Sequence, residues 1–120
     1  FDILLNCSLR DSGCFVVMEG MSRGLPVICV DTGGPKVNTT KSTGIKIKPA
    51  NLETMIKEMF NAICRLVEDK ELRIEMGKVA RQRAIEQFNA KKRIQTMNHY
   101  YYEIVNEQSM LISNKGKSYG

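Results

Sequence analysis

The stretch DSGCFVVMEGMSRGLPVICVDTGGP, residues 11–35, combines two carboxylates, an apolar segment, a β-branched run and a pair of glycines. Residues 12–23 predict a helix that packs against a sheet and ends at Gly24. Residues 25–31 predict a buried strand, because the β-branched run is too short for a helix and has its proline at the entry. A helix followed at once by a buried strand is typical of a parallel α/β unit.

The segments on either side extend this unit. Residues 2–7 predict a short buried strand, residues 32–44 a loop with at most one helical turn after Pro35, and residues 45–49 an edge strand. Three helices are then predicted, over 51–68 with Asn51 as N-cap, over 70–88 and over 90–107. Apolar residues at helical spacing predict the buried stripe of the first: Leu52, Met55, Ile56, Met59, Ile63 and Val67. The order predicts an α/β fold, the closing part of a doubly wound, Rossmann-like parallel sheet flanked by helices and followed by C-terminal helices.

The composition excludes several classes of protein. With 42% hydrophobic and 26% charged residues, the chain is typical of a soluble globular domain. Its four cysteines form no C-x-x-C pair and His99 is the single histidine, so we expect a reducing, cytoplasmic compartment, no disulfide framework and no metal site. The 120 residues are few for a complete two-site enzyme and begin inside a predicted strand. We therefore expect this to be part of a longer polypeptide.

The net charge of +5 is concentrated between residues 78 and 93, where six basic residues face one acid, Glu86. Nucleic acid is not expected as a partner, because no recognition motif accompanies the charge. A solvated helix face is the favoured interpretation. Peripheral contact with the anionic, cytoplasmic face of a membrane comes second.

The two carboxylates of the opening stretch are the candidate site residues. Asp11 lies just outside the predicted helix start, and Glu19 lies six residues beyond Gly13, or about 9 Å along the axis. Free amides at a helix start suit phosphate oxygens, here those of Gly13, Cys14, Phe15 and Val16. Gly33 and Gly34 end the next strand at the same sheet edge, where a backbone can approach a ligand closely. Each acid alone would more often be structural, but together they fit a sugar, a diphosphate and a ribose.

This pattern resembles the donor-site signature of retaining glycosyltransferases of the GT-B architecture, specifically glycosyltransferase family 4. The signature is an acid, seven residues, a glutamate, a G-x-P-V strand and a Gly-Gly loop. Here it consists of Asp11, Glu19, Gly24, Pro26, Val27, Gly33 and Gly34. The sequence differs in three places: Cys14 stands where relatives generally have glycine, the run Lys36-Val37-Asn38 after the Gly-Gly loop lacks a frequent acid, and Ala90 replaces a frequent tryptophan.

The resemblance implies transfer of a sugar from a nucleotide-sugar such as a UDP- or GDP-sugar, with retention, without a metal or other cofactor, to a glycan or lipid-linked acceptor. It implies that Asp11 contacts the donor sugar and that Glu19 contacts the ribose. Residues 1–88 would be the C-terminal portion of the donor-binding domain, 89–108 the crossover helix and 109–120 a flexible tail. The upstream remainder of the polypeptide, with the acceptor domain, would be the partner. We therefore expect residues 1–120 alone not to turn over.

Other functions compete with this interpretation. The chain could be a catalytically inactive nucleotide-sugar-binding module, or part of a sugar-nucleotide epimerase of the same fold, which binds the same kind of donor. A dinucleotide-dependent oxidoreductase is less favoured, because no G-x-G-x-x-G follows a strand.

Overall fold

The computed structural model describes the backbone of residues 2–116 and the side chains of residues 2–107. The chain divides into two compact units, Phe1–Gln87 and Phe88–Gly120. Among the described residues, the first unit contains three strands and four helices, and the second contains one helix. The donor-domain, crossover and tail assignments of 1–88, 89–108 and 109–120 stay predictions.

The sheet of the first unit consists of β1 (Leu4–Asn6), β2 (Val27–Val30) and β3 (Gly44–Ile47) in the order β1-β2-β3. Both neighbouring pairs are parallel, and Ile28 pairs with Leu5 on one side and with Ile45 on the other. All four residues of β2 are buried. The α/β class and the parallel sheet flanked by helices are thereby confirmed.

Helix α1 (Phe15–Ser22) packs closely on β1. A Cβ atom on Gly20 would lie 2.6 Å from Leu4 Cδ2, so a larger residue there would require the Leu4 side chain to move. The helix starts three residues later than predicted, because Cys14 has the left-handed backbone angles φ 46° and ψ 54°, which cannot continue a helix.

Helix α2 (Gly33–Asn38) takes up six of the thirteen residues that were predicted as a loop over 32–44, and it begins before Pro35, after which one helical turn was expected. Pro35 is its third residue, and a proline within the first turn loses no helical hydrogen bond. The glycines before it disguise the helix in the sequence, since two adjacent glycines ordinarily indicate a turn.

Helices α3 (Leu52–Glu68) and α4 (Lys70–Gln87) complete the first unit. Asn51 caps α3 as predicted, its Oδ1 accepting a hydrogen bond of 2.9 Å from the Thr54 amide. The predicted stripe of α3 was partly wrong, because Leu52, Ile56 and Val67 are exposed. The buried face is shifted around the helix, since Ala62 and Leu66 are its buried residues. The core cluster consists of Ile28, Ile47, Ala62, Leu66 and Met76.

Helix α5 (Ala90–Gly116) forms the second unit. It continues nine residues beyond the predicted end at Glu107, because no proline or early glycine interrupts it. The predicted tail, 109–120, overlaps this extension, and residues 117–120 lie outside the described residues.

Candidate functional site

The loop between β1 and α1 is shaped by short polar side chains. Asn6 Oδ1 accepts a hydrogen bond of 3.0 Å from the Ser8 amide, and Ser8 Oγ donates to the Arg10 carbonyl. Asp11 Oδ1 accepts from the Cys14 amide at 2.8 Å. Such local bonds between side chain and backbone are typical of turns, and here they fix the approach to α1.

Cys14 is the distinctive residue of this loop. Within residues 2–116 it is the sole non-glycine residue with positive φ, a conformation that costs an ordinary side chain about 1–2 kcal/mol. Its thiol is buried, accepts a hydrogen bond of 3.3 Å from Asn6 Nδ2, and has its pKa raised by burial. Cys14 thus has a backbone conformation that is typical of glycine. The burial and the hydrogen bond of its thiol hold it in that conformation.

Gly33 and Gly34 pack directly on this loop. The Gly34 amide donates to the Asp11 carbonyl at 2.7 Å, and a Cβ atom on Gly34 would lie only 2.7 Å from the Ser12 carbonyl oxygen. Gly33 has a φ of 53°, and a Cβ atom there would collide with the Asp11 carbonyl. The close approach that was expected for a ligand is therefore made, in this structure, by the neighbouring loop.

Two further bonds join the same segments. Thr32 Oγ1 donates to the Leu9 carbonyl at 3.3 Å, and Asn38 Nδ2 donates to the Gly13 carbonyl at 3.4 Å. The two halves of the predicted motif, twenty residues apart in sequence, thus form one connected loop cluster at the carboxyl ends of β1 and β2.

The amides predicted to hold phosphate fall into two groups. The Cys14 amide donates to the Asp11 carboxylate in this structure, and its binding to phosphate stays a prediction. The amides of Gly13, Phe15 and Val16 have no hydrogen-bond partner among the described residues. Three donors remain at the start of α1, where the helix dipole adds partial positive charge.

Glu19 lies on α1, about 6 Å along the axis from Phe15. Its side chain is exposed, and across the part of the chain that the structure describes its carboxylate has no hydrogen-bond or ion-pair partner. Glu19 therefore has no structural bond to lose and is available to a ligand.

Three residues that support this cluster were missed in the sequence. Asn6 was taken as part of an apolar strand, although an amide at a strand end commonly binds the next loop. Asn38 was assigned to a loop. Arg83 was assigned to a solvated basic face, yet it donates to the Asn38 carbonyl at 3.0 Å and to the Val37 carbonyl at 3.3 Å. The role of Arg83 could not be predicted from local sequence, because its hydrogen-bond partners lie 45 and 46 residues away.

The described part of the chain shows neither a metal-binding group of side chains nor a membrane-spanning helix. No group of three or more histidine, cysteine, aspartate or glutamate side chains there is placed to hold a metal ion. None of the helices in that part has the length and apolarity needed to cross a bilayer. The four cysteines are free thiols.

Comparison with known proteins identifies the family. A curated relative, N-acetyl-alpha-D-glucosaminyl L-malate synthase from Bacillus anthracis, is 28% identical over 107 residues. The matched region is 88% of this chain and 27% of the relative, so the chain spans about a quarter of the relative's length. Residues 1–83, which include the whole loop cluster, match the family model described as Glycosyl transferases group 1. The chain therefore belongs to the glycosyl transferases group 1 family.

Proposed function

We propose that this chain is the donor-binding part of a retaining glycosyltransferase of family 4 that uses a nucleotide-sugar. The observation that carries the proposal is the meeting of the Asp11–Val16 loop with Gly33 and Gly34, next to three unpaired amides. That arrangement offers donors for a diphosphate between two carboxylates. Binding at the carboxyl ends of parallel strands is the general rule for such sheets.

The amides of Gly13, Phe15 and Val16 are proposed to bind the diphosphate. This group becomes the leaving group, so negative charge grows on its oxygens when the bond to the sugar breaks. Fixed donors at a helix start stabilise such charge without reorganisation. A helix terminus contributes about 0.3–1 kcal/mol to anion binding at an exposed position, and Gly13, Phe15 and Val16 are exposed.

The two acids are proposed to bind the two ends of the donor. Asp11 holds the Cys14 amide with Oδ1, and a carboxylate has further lone pairs with which to accept from a hydroxyl of the sugar. Glu19 is proposed to accept from the ribose hydroxyls, each bond contributing roughly 1.5–3 kcal/mol. No metal or other cofactor is part of the proposal.

The acceptor is proposed more broadly than the sequence motif implies. The name of the relative joins a glucosaminyl group with L-malate, a small hydroxy acid. A glycan or lipid-linked acceptor was expected for this chain, and a small hydroxyl compound is added to that proposal. The remainder of the polypeptide is proposed to supply the acceptor site, in the cytoplasm or at the cytoplasmic face of a membrane.

The test is turnover by the full-length protein with UDP- and GDP-sugars, with the product's anomeric configuration read by NMR. The proposal predicts transfer with the configuration of the donor retained. A product of inverted configuration would refute the retaining mechanism. Interconversion of the donor sugar without an acceptor would instead identify an epimerase, and donor binding without turnover an inactive module.

A further inference from the structure

A concavity rich in basic residues lies beside the edge strand β3. It has a volume of about 420 Å³, and four basic residues are among those that line it, Lys41, Lys46, Lys48 and Arg65. A single acid, Asp31, lines it as well. None of its lining residues belongs to the Asp11–Val16 loop or to the pair Gly33 and Gly34.

The charges of this concavity do not cancel. Lys46 Nζ lies 3.4 Å from Asp31 Oδ1, so this pair is internally neutral. Lys41, Lys48 and Arg65 form no ion pair within the described residues. Three exposed cations therefore border the same concavity without an ion-pair partner among the described residues, which raises the local positive potential.

Protection of the sheet edge explains only part of this arrangement. Lysines on an edge strand prevent pairing with another strand, and Lys46 within β3 suits that role. Lys41 and Lys48, however, lie outside the strand on either side of it, and Arg65 comes from helix α3. Residues from three separate segments converge, which edge protection does not require.

We propose that this concavity binds a phosphate group, separate from the proposed donor site. A phosphate carries up to two negative charges and three or four acceptor oxygens. These suit the ammonium groups of Lys41 and Lys48 and the guanidinium of Arg65, which can donate two parallel hydrogen bonds. The phosphate can be that of a soluble phosphate ester or of a lipid headgroup, which carry the same acceptor oxygens. The proposal does not depend on the glycosyltransferase assignment.

Met76 provides a local probe, because it lines the same concavity. The full-length protein, labelled with ¹³C at the methionine methyl groups, is titrated with inorganic phosphate at constant ionic strength. The Met76 signal is assigned with the Met76→Leu variant. We expect a saturable shift of this signal, while Met18 on α1 reports any separate binding at the donor loops.

The decisive variant removes the three unpaired cations together, as Lys41→Gln/Lys48→Gln/Arg65→Gln. Its control removes two exposed lysines and an exposed arginine elsewhere in the same unit, as Lys57→Gln/Lys78→Gln/Arg81→Gln. Because exposed ion pairs are individually weak, loss of all three is expected to raise the phosphate dissociation constant about tenfold. The control variant is expected to bind as the unmodified protein does.

The source of the phosphate is distinguished by sedimentation with phosphatidylcholine vesicles, with and without phosphatidic acid. Binding to phosphatidic acid that the triple variant loses and the control keeps identifies a lipid headgroup. A Met76 shift with no such vesicle binding identifies a soluble phosphate ester. No Met76 shift, or equal dissociation constants for the triple and control variants, would overturn the proposal.

Discussion

Cys14 shows how one residue sets the geometry of the candidate site. Its positive φ suits glycine, while its thiol is buried and accepts a hydrogen bond from Asn6. A cysteine at this position therefore has a strained backbone but gains stabilising contacts from its buried thiol. The resemblance to family 4 indicated the position as unusual, but not that the backbone would keep the geometry of a glycine.

The strained backbone at Cys14 predicts that a glycine variant is more stable than an alanine variant. Cys14→Ala loses the thiol and keeps the strain, whereas Cys14→Gly loses the thiol and relieves the strain. In the full-length protein, we expect the glycine variant to be more stable than the alanine variant by about 1 kcal/mol, measured by urea unfolding. An alanine variant as stable as the glycine variant, or more so, would show that the backbone at position 14 is unstrained.

Gly34 is the second residue whose size matters. In Gly34→Ala, the new methyl group would lie 2.7 Å from the Ser12 carbonyl and 3.2 Å from that of Asp11, so the two loops must separate. We expect a loss of about 1–3 kcal/mol in unfolding free energy and weakened nucleotide-sugar binding.

Gly13→Ala is the matched control for this prediction, because its methyl group would meet only the Phe15 ring, at an ordinary 3.4 Å. A loss no larger for Gly34→Ala than for Gly13→Ala, by the same urea unfolding, would contradict the close packing of the two loops.

At the scale of elements, features that depend on neighbouring residues could be predicted from the sequence. Features that depend on contacts between distant residues could not. The Asn51 cap and the start of α3 could be predicted, because the N-cap hydrogen bond is formed within four residues. Helix α2 could not be predicted, because it starts with two glycines and its end is stabilised by Arg83 from another helix. The loop cluster was predicted as residues, but its hydrogen bonds between loops were not.

Arg83 gives the prediction at this scale. It donates to two carbonyls at the end of α2, which the helix itself leaves unpaired. For Arg83→Gln we expect the free energy of unfolding to fall by about 1 kcal/mol, because Arg83 is half-buried and its hydrogen bonds are lost. Arg81→Gln, which removes an exposed charge from the same helix, is expected to change stability by less than about 0.5 kcal/mol. Equal effects in thermal or urea unfolding would mean that Arg83 does not hold α2.

At the scale of the whole molecule, the chain is proposed to bind one of the two substrates, the nucleotide-sugar donor. It contains the loop cluster with unpaired amides and a free carboxylate, and it spans about a quarter of its relative. The expectation that residues 1–120 alone do not turn over stays a prediction. The central claim, that this cluster is a donor site, is tested most directly by binding.

The measurement is calorimetric titration of the full-length protein with UDP- and GDP-sugars, repeated with Glu19→Gln and with Glu58→Gln, which removes an exposed carboxylate on α3. Glu19→Gln removes the charge from the proposed ribose bonds and should weaken binding by roughly 1.5–3 kcal/mol, about ten- to a hundred-fold. Glu58→Gln should bind as the unmodified protein does. If no nucleotide-sugar binds, or if Glu19→Gln binds as tightly as Glu58→Gln, the cluster is a structural feature and not a donor site.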